Sequence, residues 1–333
     1  MISYIFKRLL LILPTVIGIT VISFAVIQLA PGDPVALKMQ SGERGIKSEA
    51  MARTVIEETR KLYGLDKPLH VQYGLWLKRL VTLDFGESFK DHRPVLKKIA
   101  ETLPITLTLN ILTIIIIYII SVPIGIFSAL NPKSGLDKLI TLSLFILYSL
   151  PAFWVASILI VFLGGGDYLN WFPIVGVVSD GASSLPWYGF VGNVMWHLVL
   201  PVVCLTYGGF AFLSRFARAS MLEVIRQDYI RTARAKGLSE WKVIGKHGLR
   251  NAIIPLLTLM GTLLPALLGG SVIIEQIFSI PGMGRLSFES VLARDYPTIM
   301  AIAAIDAFLT LISILLVDIM YVVVDPRITF EKG

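Results

Sequence analysis

Six long apolar runs dominate the pattern of hydrophobic and polar positions along this chain. A helix needs about 20 predominantly apolar residues to cross the hydrocarbon core of a bilayer, and each run is about that long or longer. None of them shows the period-two alternation of a membrane-barrel strand. The pattern therefore predicts an all-α integral membrane protein with six transmembrane helices, over residues 9–30, 103–130, 136–163, 195–213, 253–277 and 298–324.

The polar segments between these runs divide the chain. Residues 31–102 form the only sizeable polar segment, and apolar positions at helical spacing predict two amphipathic helices around a turn at residues 64–68. We interpret this segment as a small extracytoplasmic lobe. The other divisions are residues 1–30 for the N-terminus and first membrane helix, 103–324 for the transmembrane core with a cytoplasmic loop at 215–250, and 325–333 for a cytoplasmic tail.

Lysine and arginine residues indicate the orientation of the chain. Nine of them fall within residues 215–250, whereas the loop at residues 164–194 contains none. Because short cytoplasmic loops carry an excess of Lys and Arg, we expect this basic loop and both termini in the cytoplasm. The net charge of +7 is then mainly a consequence of topology.

Composition argues against several classes of protein. The chain is 55% hydrophobic and only 16% charged, so polar surface could not cover a soluble core of this size. Its basic residues flank apolar runs, which indicates membrane topology and argues against nucleic-acid binding. One cysteine and four scattered histidines offer neither a disulfide framework nor a metal site, and no phosphate-binding Gly-rich loop is present. We therefore expect no enzymatic activity and no cofactor bound by this chain.

The basic loop predicts a helix-turn-helix. Good helix formers occupy residues 229–236, Gly237 stands where a helix commonly ends, and Ser239 can cap a second short helix. Ala233 and Ala235 are small enough to allow close approach of another molecule. Such a helix is suited to a groove of a partner protein, although an ordinary basic cytoplasmic loop explains the spacing equally well.

Several sequence blocks follow one another in a characteristic order. They include APGDPV at residues 30–35, DYIRTARAKGL at 228–238 and EQIFSIPGMGRL at 275–286, with shorter blocks at 64–68, 84–86, 249–252, 294–297, 316–318 and 325–328. Together they resemble the permease subunits of ATP-binding-cassette importers of the dipeptide and oligopeptide permease family. The block at 228–238 resembles the "EAA" loop of such subunits, except that Thr232 occupies the first position of the triplet.

The resemblance implies partners and a location. A second, similar permease subunit would complete a heterodimer in the bacterial or archaeal cell (inner) membrane. One or two cytoplasmic ATPase subunits would carry ATP and magnesium, and an extracytoplasmic binding protein would deliver peptides, with nickel complexes or oligosaccharides as alternative substrates. The residues expected to contact the ATPase are Tyr229, Arg231, Ala233, Arg234, Ala235, Lys236, Gly237, Leu238, Ser239 and Trp241.

Two carboxylates within the predicted membrane helices are candidates for the translocation path. Ionisable residues in such segments are costly and usually face a bundle interior or a wet cavity, which draws attention to Glu275 and Asp306. Asp306 could instead be a structural partner of another helix, and Glu275 could pair with Arg285. A secondary carrier would also use membrane-embedded charges, but it is often built from two related halves, and no such repeat is visible here.

Overall fold

The structure is a computed structural model that describes residues 10, 14–22, 24–25, 66–164, 168–263 and 270–324. In these residues the regular structure is helical, apart from an isolated β-bridge between Glu87 and Pro94. Three of the described helices are long and apolar enough to cross a bilayer, or four if one bent pair counts as a single span. The helical prediction is confirmed, whereas the count of six spans stays a prediction. The first predicted lobe helix and the predicted tail lie outside the described residues.

Eleven helices are described beyond a helical stretch at residues 14–22. They are α1 (Leu69–Val81), α2 (Val95–Leu130), α3 (Gly135–Ser149), α4 (Ala152–Leu159), α5 (Trp187–Ile225), α6 (Asp228–Ala235), α7 (Glu240–Lys242), α8 (Leu249–Leu263), α9 (Val272–Ile277), α10 (Met283–Leu292) and α11 (Tyr296–Val324). Turns of π-helix extend α4 over Ile160–Gly164 and join α7 to α8 over Val243–Gly248. Helix α1 lies where the second of the two amphipathic helices was predicted, and the extracytoplasmic lobe stays a prediction.

The described residues fall into two compact units. One contains the residues up to 102 together with 286–312, and the other contains residues 103–285 together with those from 313 onward. In the second unit α5 is the central helix, because α3, α4, α8 and α9 all pack against it. Its buried core includes Leu200 and Cys204 of α5, packed with Leu109 of α2 and Ile274 of α9.

The predicted span at residues 136–163 is wrong in one respect, because its helix breaks at Pro151. Helix α3 and the extended α4 meet at an angle of 93°. Leu150 has an extended backbone (φ −82°, ψ 126°), the conformation that a following proline favours. The Tyr207 hydroxyl donates a hydrogen bond of 2.7 Å to the carbonyl oxygen of Leu150, which supplies the partner that a carbonyl removed from water needs.

The predicted span at residues 253–277 is also interrupted. Gly270 has a positive φ of +63°, and Ser271 has an extended backbone, so α9 does not continue α8 as one helix. Helix α5, in contrast, is longer than its predicted range of 195–213 at both ends. These differences arise because an apolar run marks residues suited to the bilayer, while helix boundaries depend on backbone breaks and on packing.

Helices α2 and α5 cross at a glycine. A Cβ atom on Gly125 of α2 would lie 2.5 Å from the carbonyl oxygen of Ser214 and 2.6 Å from the Cβ atom of Ala217 on α5. Contacts this short are not tolerated, so the two backbones approach more closely than any larger residue would allow. Small residues commonly serve this purpose where membrane helices pack.

We predict that Gly125→Ala lowers the melting temperature of the purified protein in detergent. Overpacking of this kind typically costs about 1–3 kcal/mol. Gly208→Ala is the matched control, because Gly208 lies within α5 and has nothing within 4 Å of its Cβ position, while alanine favours the helix. A melting temperature for Gly125→Ala equal to that of the wild type would contradict the close crossing.

Candidate functional site

Helix α6 ends in the way its sequence predicted. Gly237 adopts a left-handed conformation with φ +74°, which a glycine reaches without steric cost. Its N–H donates to the carbonyl of Arg234 at 2.9 Å, and the N–H of Leu238 donates to the carbonyl of Ala233 at 3.4 Å. This pair of bonds is a Schellman motif, which closes the helix and reverses the chain.

Three kinds of contact brace α6 against the segment that follows it. The Arg234 guanidinium binds both carboxylate oxygens of Glu240, at 2.8 and 3.3 Å. Ile230 of α6 and Val243 of the π-helical turn are fully buried, and they pack together with Ala233 of α6. Further along, Asn251 donates a hydrogen bond of 2.8 Å to the Tyr229 hydroxyl.

Helix α7, the second helix of the predicted pair, differs from the prediction in two ways. Ser239 does occupy the N-cap position with an extended backbone, but its side chain makes no capping hydrogen bond. The helix is also not short and separate, because α7 continues through the π-helical turn at Val243–Gly248 into α8, which runs to Leu263. The helix pair is therefore joined without a loop to the long helix that follows it.

Of the residues predicted to contact the ATPase, Ala233 is buried and the others are exposed. Ala233 is 7% exposed and packs inward, so its small size serves contact within this chain. The exposed residues are Tyr229, Arg231, Arg234, Ala235, Lys236, Gly237, Leu238, Ser239 and Trp241. Trp241 is 86% exposed, which is unusual for so large an apolar side chain and is typical of an interaction surface.

Glu275 of α9 is fully buried, and backbone amides hold its carboxylate. Oε2 accepts a hydrogen bond of 2.7 Å from the N–H of Arg285, and Oε1 accepts one of 3.3 Å from the N–H of Ser271. The Thr106 hydroxyl donates to Oε1 at 3.3 Å and accepts from the N–H of Met283 at 2.7 Å. The predicted contact with Arg285 thus exists, but through its backbone amide.

Three glycines make room for this carboxylate. A Cβ atom on Gly282 would lie 2.5 Å from the Glu275 Cδ atom, and Cβ atoms on Gly270 and Gly284 would lie 2.5 and 3.0 Å from its carboxylate oxygens. The carboxylate can therefore approach the backbone closely enough to bind its amides. Together with Thr106 of α2, it fixes the turn between α9 and α10 on the neighbouring helix.

Asp306, the other predicted path residue, lies half-buried in α11. Its Oδ1 atom is buried and has no hydrogen-bond partner among the residues that the structure describes. A buried carboxylate oxygen without a partner is costly, so this atom needs either a proton or a hydrogen-bond donor beyond the described residues.

Sequence reasoning missed a buried polar network around Asp295. Its carboxylate accepts hydrogen bonds from the Ser88 hydroxyl at 2.5 Å, the Phe89 N–H at 2.7 Å and the Thr298 hydroxyl at 2.6 Å. Lys98 lies 3.8 Å from the same carboxylate and donates to Ser88 at 2.9 Å. Ser88 and Asp295 are 207 positions apart, so no local pattern indicates their contact.

Asp91 completes this network through an ion pair of 3.0 Å with Lys98. Burial opposes ionisation of Asp91, but the ion pair with Lys98 and a hydrogen bond from the Arg93 N–H outweigh it and hold the pKa of Asp91 below its ordinary value. Because the pKa is depressed in the folded state, the contribution of Asp91 to stability is present at neutral pH. It is lost as the pH falls through the folded-state pKa.

The family of this chain follows from comparison with known proteins. Residues 121–330 match the family described as binding-protein-dependent transport system inner membrane component, and residues 1–110 match the N-terminal family of the same membrane components. The oligopeptide transport system permease protein AppB of Bacillus subtilis (strain 168) is 42% identical over 331 residues, which are 99% of this chain and 100% of that protein. The dipeptide transport system permease protein DppB of Escherichia coli (strain K12) is 36% identical over 348 residues, with all of both chains covered.

The fold has a solved counterpart. An inward-facing structure of the MetNI methionine ABC transporter matches with a TM-score of 0.53 at 16% identity, covering 70% of this chain and 99% of that one. The apolar helices indicate a multi-pass helical membrane protein. The likeness to the solved transporter shows that it has the fold of an ABC-transporter membrane subunit. The chain belongs to the family of inner membrane components of binding-protein-dependent transport systems, and the resemblance seen in its sequence blocks is confirmed.

We predict that Glu275→Gln lowers the stability of the protein by about 1–3 kcal/mol, the usual cost of leaving a buried polar group unpaired. The amide nitrogen of glutamine would have to face the N–H of either Arg285 or Ser271, so two donors would meet. Glu223→Gln, at an exposed position on α5, is the control and should be neutral. Thermal melts in detergent measure the effect, and equal melting temperatures for the two variants would contradict it.

Proposed function

We propose that this chain is one permease subunit of an ATP-driven peptide importer. Its full-length relatives bear the names of oligopeptide and dipeptide permeases, which supports peptides as the substrate. A second, similar permease subunit completes the translocation path as a heterodimer, and an extracytoplasmic binding protein delivers the peptide. ATP and magnesium are bound by one or two separate ATPase subunits.

The observation that carries the coupling role is the geometry of α6 and α7. Helix α6 is braced by Arg234 and Glu240, and α7 continues directly into α8. The exposed residues of this pair, with Trp241 at their end, form a compact surface that a cytoplasmic ATPase can hold. A displacement of α6 is then transmitted to α8 without an intervening flexible loop.

The proposed topology has six spans with both termini in the cytoplasm. Residues 31–102 form the extracytoplasmic lobe, and residues 103–324 form the transmembrane core. The proposal rests on the six apolar runs and on the concentration of basic residues in the loop at 215–250.

We predict that Gly237→Val breaks the coupling between substrate delivery and ATP hydrolysis while leaving membrane insertion intact, because a β-branched residue is strongly disfavoured at φ +74°. Binding-protein-stimulated ATP hydrolysis by the reconstituted complex should fall several-fold. Gly237→Asn should retain more activity, since asparagine tolerates this conformation. Gly245→Ala is the control, at an exposed glycine without a positive φ. Stimulation of ATP hydrolysis to the wild-type level in Gly237→Val would contradict the proposal that this turn transmits motion.

Topology can be tested with single cysteines after the buried native Cys204 is replaced by serine. A cysteine at Ser183 should react with an impermeant maleimide added outside intact cells, whereas a cysteine at Ser239 should react only after the cells are opened. Labelling of both positions from the same side would overturn the six-span arrangement.

We propose that Asp306 lines the translocation path, because its buried Oδ1 atom has no partner among the described residues. Asp306→Asn conserves volume and should keep the melting temperature while changing the relative transport of cationic, neutral and anionic peptides. A structural residue would behave differently: Asp306→Asn would leave the substrate profile unchanged, and Asp306→Leu would lower the melting temperature alone.

A further inference from the structure

A groove with a cationic end and an apolar end lies between α3 and α5. Its cationic end contains Arg215 and Arg218 of α5, with the hydroxyl-bearing residues Ser128 and Thr141 beside them. Along α3, Thr141 is followed by Phe145 and Tyr148 on the same face, at the spacing of successive helical turns. All of these residues belong to the unit built around α5.

The two arginines leave an excess of positive charge. Arg218 forms an ion pair of 3.2 Å with the buried carboxylate of Asp137, whose same oxygen accepts the N–H of Lys133 at 3.0 Å. Arg215 lies over the ring of Phe145, with its guanidinium carbon 5.3 Å from the ring centroid, and no carboxylate among the described residues forms an ion pair with it. One of the two guanidinium groups is therefore paired with a carboxylate, and the geometry leaves donors available for an anion.

Beyond the two arginines, the groove is lined by exposed aromatic side chains. Phe145, Tyr148 and Phe212 are 46%, 63% and 61% exposed, and Phe216 lines the same groove. Helix α3 is part of the bent pair that is apolar enough to cross a bilayer, and α5 is itself a candidate span. An apolar surface of this kind within a membrane is suited to an acyl chain.

We propose that this groove binds one anionic phospholipid. Its phosphate contacts Arg215 and the free donors of Arg218, and an acyl chain lies along Phe145, Tyr148 and Phe212. Such a lipid matches the charge of the groove at one end and its apolar walls at the other, since arginine clusters between membrane helices suit lipid phosphates. The site goes beyond the transport function and requires only that the two helices lie in a bilayer.

Native mass spectrometry of the delipidated importer complex tests this site. The probes are phosphatidylglycerol, phosphatidylcholine with the same acyl chains, and sn-glycerol 1-phosphate as a head group without a tail. We expect the wild type to bind phosphatidylglycerol about tenfold more tightly than phosphatidylcholine, the size of one charge-assisted contact, and to bind the tailless phosphate much more weakly.

Arg215→Gln should reduce the preference to about twofold or less, whereas Arg215→Lys should keep part of it. Arg226→Gln is the control, because Arg226 is an exposed arginine beyond the end of α5 and outside the groove.

Several results would overturn the proposal. An absence of preference between the two lipids in the wild type would do so, whether or not Arg215→Gln can be purified. Equal losses in Arg215→Gln and Arg226→Gln would show a general charge effect, and tight binding of glycerol phosphate would show an anion site without a lipid. Efficient disulfide formation between a cysteine at Phe212 and the second permease subunit would show that protein covers the groove.

Discussion

A backbone that leaves the helical conformation away from water must find polar partners inside the protein, and this requirement governs the breaks in the chain. At the bend between α3 and α4, Tyr207 supplies a donor to the carbonyl of Leu150. On the two sides of α9, Glu275 and Thr106 accept the N–H groups of Ser271, Met283 and Arg285, which no helix uses. These irregular segments are thus paired with buried polar side chains from the same unit, and those side chains fix how the neighbouring helices are placed.

The proposed coupling region of α6 and α7 follows a different rule, since it is exposed and a coupling role requires it to be stiff. A helix of eight residues is not stable alone, so α6 depends on contacts made outside itself. Ile230 and Val243 supply the buried contact, and the Arg234–Glu240 pair adds an exposed bidentate brace. Exposed ion pairs contribute little to stability, so the buried contact carries most of the energy, while the brace restricts orientation. The π-helical turn at Val243–Gly248 then joins this unit to α8.

Local sequence signals predicted the local features well. The glycine at 237 predicted the end of α6, and the apolar spacing of residues 69–81 predicted α1. The bend at Pro151 was missed because the apolar run continues across it, although the proline itself was a usable signal. Contacts between distant residues could not be found in this way: the setting of Glu275 depends on Thr106, and that of Asp295 on Ser88. Ala233 faces inward because Val243 of the π-helical turn and Val224 of α5 determine which face of α6 is buried.

The exposed surface of α6 and α7 is the proposed contact with the ATPase. Photo-crosslinking in intact cells tests it, with a photoreactive amino acid placed at Lys236 and, as a control, at Trp187 at the start of α5. We expect the Lys236 derivative to form an adduct with an ABC ATPase subunit, identified by mass spectrometry, and the Trp187 derivative to form none with that subunit. An ATPase adduct from Trp187, or adducts from Lys236 that never include an ATPase, would contradict the coupling role.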